Sequence, residues 1–393
     1  MNIWDENGVR KIHFDYPLLV VVILLSGLGL TMVFSSSAVL AQEKYGDGLY
    51  FLKRMLFYST IGFTAMAVIM RIPYIHLKKF AYPLLLVSLV VSALTLFTSL
   101  GMKVGGAKRW LHVGPFQFQP SELVKLAIIV FMAYSLEKKT EKMDRFGVGI
   151  VPNIVIPGIL VVLVLAGKDL GASFVMALLI LLMLFLGGAR IKHLSLLSLA
   201  AVPILYRLVT QEGYRLRRVL SFLNPWNDQY GAGFQVIQSY LAFNEGGMLG
   251  KGLGAGQQKL FYLPEAHTDF IFSVLGEELG WIGVLMTIGF FLYFCYRGLK
   301  IATHAPDLFG RYLAFGIVIL IGVQSMLNMG VVMGLLPTKG LVLPFVSYGG
   351  SALVMTLMAV GVLLNISTCQ KADTPPMFEK QCRSAEVFKC RSV

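Results

Sequence analysis

Apolar residues run along this chain in long blocks that short polar segments separate. A helix that crosses the hydrocarbon core of a bilayer needs ~20 mostly apolar residues. Because lipid offers the backbone no hydrogen-bond partners, such blocks are stable there as helices. The pattern predicts an all-α integral membrane protein with about ten transmembrane helices. They centre on residues 16–38, 55–72, 80–100, 119–136, 150–166, 171–188, 193–209, 268–294, 312–336 and 348–368.

One connection is much longer than the others. Residues 210–267 separate the seventh and eighth predicted helices. Phe234, Ile237 and Leu241 recur there at helical spacing, which predicts a short helix lying at the membrane interface. A long loop of this kind is usually functional or disordered, and its composition favours order.

The two ends of the chain are polar. Residues 1–15 are expected to form a cytoplasmic segment, 16–368 the membrane domain, and 369–393 a mobile tail without catalytic residues. The first apolar block exceeds the core of a cleaved signal peptide, so a retained helix is predicted. Small residues near Ala38 and Ala41 keep cleavage open as an alternative.

Composition and charge support this interpretation. Hydrophobic residues make up 56% of the chain and charged residues 14%, against ~25% in ordinary soluble domains. The formal net charge is +13, yet the predicted cytoplasmic segments hold more than twice as many Lys and Arg as the opposite short loops. This bias places both termini in the cytoplasm and explains the charge without a nucleic-acid partner. The four cysteines fall at or beyond cytoplasmic helix ends, where free thiols are expected.

The densest group of ionisable residues lies around the start of the eighth predicted helix. Glu265, His267 and Asp269 stand at its outer end, and Glu277 and Glu278 follow two to three turns deeper. Ionisable groups at membrane depth are costly and therefore mark functional sites. The outer three could instead form a solvated helix start with Thr268 or Asp269 as the N-cap. One of the two glutamates is expected to pair with a basic group inside the bundle.

Two further groups have equally plain structural alternatives. Lys108 and Arg109 lie in an outer loop, where they could bind an anion or serve with Trp110 as an interfacial anchor. Glu122 and Lys125 share one face of the fourth helix at i,i+3 spacing, which also suits an ion pair.

Two loops complete the candidate chemistry. Lys168-Asp169 lies between the fifth and sixth helices, either as a site or as a simple turn. Residues 334–351 are rich in Gly and Pro, and irregular backbone at membrane depth is tolerated only against protein or a wet cavity. The glycines at 250, 252, 254 and 256 follow no strand, which argues against a dinucleotide site. The histidines are scattered, which argues against zinc.

Three long motifs occur in this order along the chain: Lys108-Arg109-Trp110 with Gln119-Pro120-Ser121-Glu122 and Lys125, residues 264–272, and residues 343–351. With these motifs the chain resembles, over residues 14–368, the SEDS proteins (shape, elongation, division and sporulation), which are polytopic peptidoglycan glycosyltransferases. Segments 336–341 and 256–259 resemble the cell-division branch. Lys168 departs from the family, which usually has proline there, so local rigidity is expected to differ.

The resemblance implies a substrate, a site and partners. The substrate would be lipid II, a disaccharide-peptide on undecaprenyl pyrophosphate, used at the division septum of an inner membrane. A class B penicillin-binding protein and other divisome membrane proteins would be the partners. Asp269 matches the essential carboxylate, and it could also hold Mg²⁺ or Mn²⁺; no organic cofactor is expected. The expected substrate-binding residues are Lys108, Arg109, Glu122, Lys125, Asp169, Arg217, Arg218, His267, Lys339 and Ser347.

The implied chemistry is consistent with these residue types. An α-linked donor becomes a β-linked product, so one inversion is needed. A single displacement requires one general base and positive charge on the departing pyrophosphate. Two other classes stay open: a lipid II flippase that uses the intramembrane charges, and a scaffold that only holds the crosslinking partner.

Overall fold

The computed structural model describes residues 14–104, 107–113, 116–231, 233–259 and 263–369. Most of the segments expected at 1–15 and 369–393 therefore lie outside the described residues. The described part holds helices joined by short turns, and one small sheet. The helices are α1 (Tyr16–Tyr45), α2 (Tyr50–Ile69), α3 (Ala81–Phe97), α4 (Pro120–Lys138), α5 (Val151–Ala166), α6 (Leu170–Leu186), α7 (Ile191–Thr210), α8 (Gly213–Leu223), α9 (Phe234–Gly246), α10 (Ile271–Thr303), α11 (Leu308–Val332) and α12 (Gly350–Thr368). The strands are β1 (Gly101–Val104), β2 (Ala107–Val113) and β3 (Phe116–Phe118).

Each of the ten predicted spans coincides with a helix, which confirms a nearly all-helical membrane protein. Seven helical segments are long and apolar enough to cross a membrane, and α6 is apolar but shorter. Helix α4 does not meet that measure because it carries Glu122, Lys125, Glu137 and Lys138. The number of spans and the orientation of the chain stay predictions.

The helices form a bundle around α4, α11 and α12. Most residues of these three helices are buried. Peripheral helices such as α3 bury a narrow face and expose apolar residues such as Leu86 and Val90. Lipid solvates those side chains as well as protein does, so they need no partner. Helix α7 is the extreme case, since Leu194 is the one residue that it buries.

The long connection between α7 and α10 contains helices of its own. It contains α8 and α9, so the helix expected around Phe234 is confirmed. Helix α9 packs against α10, where the Ser239 and Ser273 hydroxyls lie 2.7 Å apart. The Ser239 hydroxyl also donates to the carbonyl of Val332, at 2.6 Å. These contacts fix the connection on the bundle.

A kink in α10 brings the glycine-rich segment 247–256 onto the helix. Gly280 has φ 66° and ψ −167°, a conformation that L side chains rarely adopt. The helix carbonyls of Glu277 and Glu278 accept backbone N–H groups from Lys251 and Gly252, each at 3.0 Å. The glycines there build a close backbone packing rather than a nucleotide site.

The two glutamates of α10 are fully buried and satisfied by protein groups. Glu278 forms an ion pair with Lys259 at 2.7 Å and accepts a hydrogen bond from Ser35. Glu277 accepts the backbone N–H groups of Gln257 and Gln258 at 2.6 and 3.2 Å. The expectation that one glutamate pairs with a basic group is confirmed. The pair ties α1, α10 and the segment before the candidate site together.

The sheet is a feature that the helical pattern did not predict. Strands β1, β2 and β3 pair antiparallel in that order. The sequence placed a connection between two helices here, and the described residues of that connection form the three strands. A Gly-Gly dipeptide at 105–106 between two short segments is the sequence signal for a hairpin there. The sheet presents Lys108 and Arg109 from a fixed backbone rather than from a loose loop.

Removal of the Glu278 charge should destabilise the whole bundle. The Glu278→Gln substitution leaves Lys259 buried without its counter-ion, which costs about 3–5 kcal/mol. We expect the Tm of the detergent-solubilised protein to fall by roughly 5–10 °C. Glu245→Gln is the matched control, because Glu245 pairs with Lys251 in a partly exposed position. A double variant, Glu278→Leu with Lys259→Met, should regain much of the loss, and an unchanged Tm in Glu278→Gln would contradict this account.

Candidate functional site

The described residues of segments 98–119, 210–270 and 333–349 form what is called here the loop end of the bundle. The turn 263–270 is held against the loop 333–349 by Asn328 of α11. Its amide donates to the backbone carbonyls of Asp269, at 2.9 Å, and Leu341, at 2.5 Å. The Tyr348 N–H donates to the carbonyl of His267 at 3.0 Å. Buried polar groups in the bundle thus fix the backbone on both sides of Asp269.

The Asp269 carboxylate has no structural partner among the described residues. Helix α10 begins at Ile271, and its cap position, Phe270, supplies no side-chain hydrogen bond. The alternative that Thr268 or Asp269 caps this helix is therefore wrong. A Cβ atom placed on Gly340 would lie 3.1 Å from Asp269 Oδ2, so the glycine leaves the carboxylate accessible. A polar side chain held this firmly, yet unpaired, is available for a ligand.

The surroundings tune the acidity of Asp269. Removal from water raises its pKa to about 7, and the negative charge of Glu265 acts in the same direction. Arg218 and Arg109 oppose this rise. A carboxylate with a pKa near neutrality is well suited to accept a proton, because general bases work best when their pKa lies near the operating pH.

A cavity of about 240 Å³ lies beside Asp269. Gly340 connects the two, because it lines the cavity and also lies next to the Asp269 carboxylate. Cations dominate the polar part of the lining, and Asp169 is its one carboxylate among the described residues. The lining cations are Arg109, Lys168, Arg215, Arg218 and Lys339. Such an excess of positive charge favours a polyanionic ligand.

Arg109 and Lys339 hold fixed positions in this cavity. Arg109 donates to the carbonyl of Lys168 at 2.6 Å, while its Nε is buried without a partner in the described part of the chain. The Lys339 ammonium lies 3.8 Å from the centre of the Phe174 ring, a cation–π contact. Burial lowers the pKa of Lys339. Both expected cations therefore lie where an anion would bind.

Helix α8 contributes two arginines to the cavity lining, Arg215 and Arg218, whereas the predicted pair was Arg217 and Arg218. Arg218 lines the cavity as expected, whereas Arg217 does not. Arg215 takes its place, a buried side chain that donates to the Leu208 carbonyl and to the Tyr214 hydroxyl. Helical geometry would have found it, because residues three apart share a face and adjacent residues do not.

Lys108 and Asp169 stabilise the backbone around the cavity. Lys108 donates to the carbonyl of Leu96 at 3.1 Å and lies outside the cavity lining. Asp169 caps α6 by accepting the Ala172 N–H at 3.1 Å, and it accepts a hydrogen bond from Gln119 at 3.2 Å. The turn before it places Lys168 at φ 65°, which a proline ring cannot adopt. The departure at Lys168 thus changes the backbone as well as the side chain.

Glu122 and Lys125 lie below the loop 333–349 and Ser347 belongs to that loop, and none of the three lines the cavity. Lys125 and Glu122 form a buried ion pair at 2.8 Å, and Lys125 also donates to Gln324 at 3.0 Å. Gln324 in turn donates to the Val342 carbonyl at 3.2 Å. The Ser347 hydroxyl accepts the Leu343 N–H at 2.8 Å. These contacts favour support of the loop, and direct binding of substrate by these residues stays a prediction.

The part of the chain that the structure describes holds no ready-made metal site. The described residues contain no group of three His, Cys, Asp or Glu side chains that could hold a metal ion. Coordination of a metal by Asp269 is therefore a prediction that would need further oxygens from a ligand.

Comparisons with known proteins agree with this geometry. The family model for the cell cycle proteins FtsW, RodA and SpoVE matches residues 16–372. A protein of Geobacter sulfurreducens named "probable peptidoglycan glycosyltransferase FtsW" is 51% identical over 362 residues, 92% of this chain and 97% of the relative. Stage V sporulation protein E of Bacillus subtilis is 43% identical over 358 residues, 91% of this chain and 98% of the relative.

Solved structures show the same fold. One chain, from a study of polymerisation and crosslinking by a peptidoglycan synthase complex, matches with a TM-score of 0.76 and 30% identity. That match covers 92% of this chain and all of the other. The rod shape determining protein RodA of Thermus thermophilus matches with a TM-score of 0.68 and 26% identity, over 92% and 99% of the two chains. This multi-pass membrane protein therefore belongs to the FtsW, RodA and SpoVE family of cell cycle proteins.

Proposed function

We propose that this protein is a peptidoglycan glycosyltransferase that polymerises lipid II into glycan strands for septal wall synthesis in cell division. The observation that carries the proposal is the unpaired Asp269 carboxylate at the edge of a cavity lined by five cations. The names of the relatives that are about half identical to this chain support the same activity. The proposed location is the septal part of the inner membrane, with the loop end outside.

The cations of the cavity would stabilise the leaving group. A pyrophosphate that departs carries growing negative charge, and positive groups held in place stabilise it without reorganisation. Arg109, Arg218 and Lys339 are the side chains best placed to bind this pyrophosphate. The fork of an arginine can donate two hydrogen bonds to a phosphate, whereas a lysine acts as a point charge.

Asp269 would act as the general base for the acceptor hydroxyl. Its carboxylate would take the proton from the sugar hydroxyl as that oxygen attacks the anomeric carbon of the donor. Attack and departure on opposite faces invert this carbon, so no covalent nucleophile on the protein is needed. The raised pKa makes Asp269 a stronger base than an ordinary aspartate.

A divalent cation is compatible with this site but is not built into it. Mg²⁺ is commonly held by one or two carboxylates together with substrate phosphates. Asp269 with the pyrophosphate oxygens would form such a set, and the ion would then add positive charge at the leaving group.

A crosslinking partner is part of the proposal. The matching solved chain comes from a synthase complex, which supports assembly with a second protein. We propose a class B penicillin-binding protein, alongside other membrane proteins of the division machinery.

Loss of the Asp269 charge should stop polymerisation. For Asp269→Asn with the partner bound and its transpeptidase blocked, we expect glycan synthesis from labelled lipid II to fall about 10²–10⁴-fold. Glu265→Gln is the matched control, since it removes an exposed carboxylate from the same turn and should retain most activity. Glycan ladders from Asp269→Asn within tenfold of wild type would show that Asp269 is not the base. A folded, partner-bound wild type that makes no ladders would favour the flippase or scaffold.

The pH dependence should follow Asp269. As a base it must be deprotonated, so kcat/KM should rise with pH and level off above a pKa of about 7. Arg218 lowers this pKa, so Arg218→Gln should move the acidic limb to higher pH. Arg217→Gln removes the same charge one residue away and should leave the limb where it is. If wild type, Arg218→Gln and Arg217→Gln all showed the same acidic limb, the group that titrates in the pH profile would not be Asp269.

A further inference from the structure

A second group of polar and aromatic side chains lies on the other side of the Asp269 turn. The His267 ring packs against Phe51, at 4.7 Å between ring centres, and against Tyr348, at 5.8 Å. Phe51 and Tyr348 meet edge to face at 5.1 Å. Helix α2 thereby contacts the turn that carries the catalytic candidate.

This group contains an arginine without a counter-ion. The Arg54 guanidinium donates to the Tyr50 hydroxyl at 3.0 Å and lies 5.6 Å from the centre of the Tyr50 ring. Tyr58 and Tyr348 also interact with it. Within the described residues no carboxylate lies within ion-pair distance of Arg54, although its neighbour Lys53 pairs with Asp47 at 2.7 Å. A half-buried guanidinium surrounded by phenols keeps its capacity to bind an anion.

The turn 263–270 separates this group from the cation-lined cavity. The cations that act on Asp269 are Arg218 and Arg109, on the cavity side. His267, two residues earlier, instead contacts Phe51 and Tyr348 and is influenced by Lys44. A base at this position therefore has a cation-rich surface on one side and an aromatic surface on the other.

From this juxtaposition we propose that Arg54, Tyr50, Tyr348 and His267 form the acceptor subsite, which binds the sugar-peptide head group of the incoming lipid. The inference rests on the proposed function and specifies which side of Asp269 each reactant occupies. The face of a sugar ring presents C–H groups that pack on aromatic rings. A single guanidinium matches a single carboxylate of the peptide, and it can bind that group with two hydrogen bonds.

The charge balance assigns the two sides. The cavity holds five cations and suits the pyrophosphate of the departing donor. The incoming lipid keeps its own pyrophosphate, one sugar away from the reacting hydroxyl, so the aromatic group has to hold only sugar and peptide. Arg54 beside Tyr50, with Lys44 acting on His267, supplies less positive charge than the cavity and suits that part of the lipid. The acceptor hydroxyl would then approach Asp269 from the His267 side.

The test measures binding apart from catalysis. A lipid-free disaccharide-peptide, which has no pyrophosphate, is titrated by NMR against the full-length protein in complex with its partner. We expect Arg54→Gln to weaken its binding about ten- to hundredfold, the usual effect of losing a hydrogen bond to a charged group. Lys53→Gln removes the adjacent exposed charge and should bind like wild type.

Other results of this titration would overturn either the acceptor subsite or the proposed function. Equal binding by Arg54→Gln and wild type would overturn the acceptor subsite. Weaker binding of phosphatidylglycerol to the detergent-solubilised Arg54→Gln protein, with disaccharide-peptide binding intact, would identify Arg54 as a lipid anchor and also overturn the proposal. If Arg54→Gln lowers the Tm, Arg54→Lys decides, because it keeps the charge but not the fork and should bind with intermediate affinity. Arg54-dependent binding in a wild type that makes no glycan would contradict the proposed function and leave the subsite standing.

Discussion

Inside a membrane bundle, every buried polar group must find its partner within the protein. The loop end of this molecule shows how that requirement shapes a site. The Lys259–Glu278 pair, the Lys125–Glu122 pair and the Asn328 amide each satisfy buried groups that lipid would leave unsolvated. The irregular backbone at 263–270 and 333–349 depends on these contacts, since it cannot satisfy itself as a helix does.

A few charged groups at or beside the loop end are left without an ionic partner by these contacts. Asp269, Arg109 and Arg54 form no ion pair among the described residues, and the Arg109 Nε atom is buried there without a hydrogen-bond partner. Asn328 meanwhile fixes the backbone carbonyl of Asp269. Unpaired charge costs stability, and these are the charges that the proposed function assigns to substrate.

Backbone choices around the site follow the same logic. Gly340 leaves space for Asp269, and Gly280 lets α10 turn toward the segment that supplies Lys259. Lys168 adopts a conformation closed to proline and extends an exposed ion pair to Glu212 at the start of α8. Helix α7 buries only Leu194 among its residues. Near the start of α8, the Lys168–Glu212 ion pair and the hydrogen bond from Arg215 to the Leu208 carbonyl connect α7 and α8 to the loop end.

The sequence by itself determined the helical membrane architecture and the positions of ten helices, because long apolar blocks have one stable form in lipid. It also drew attention to Glu265, His267 and Asp269 at the outer end of a membrane helix, and the family resemblance singled out Asp269 among them. Only the tertiary structure decided that the Glu122–Lys125 pair is buried against Gln324, and that Asp269 stays unpaired while Asn328 holds its backbone, because these contacts join residues distant in the chain. It likewise placed Arg215 rather than Arg217 in the cavity lining and packed α2 against His267, because the direction of a side chain and the packing of α2 are set by contacts between helices.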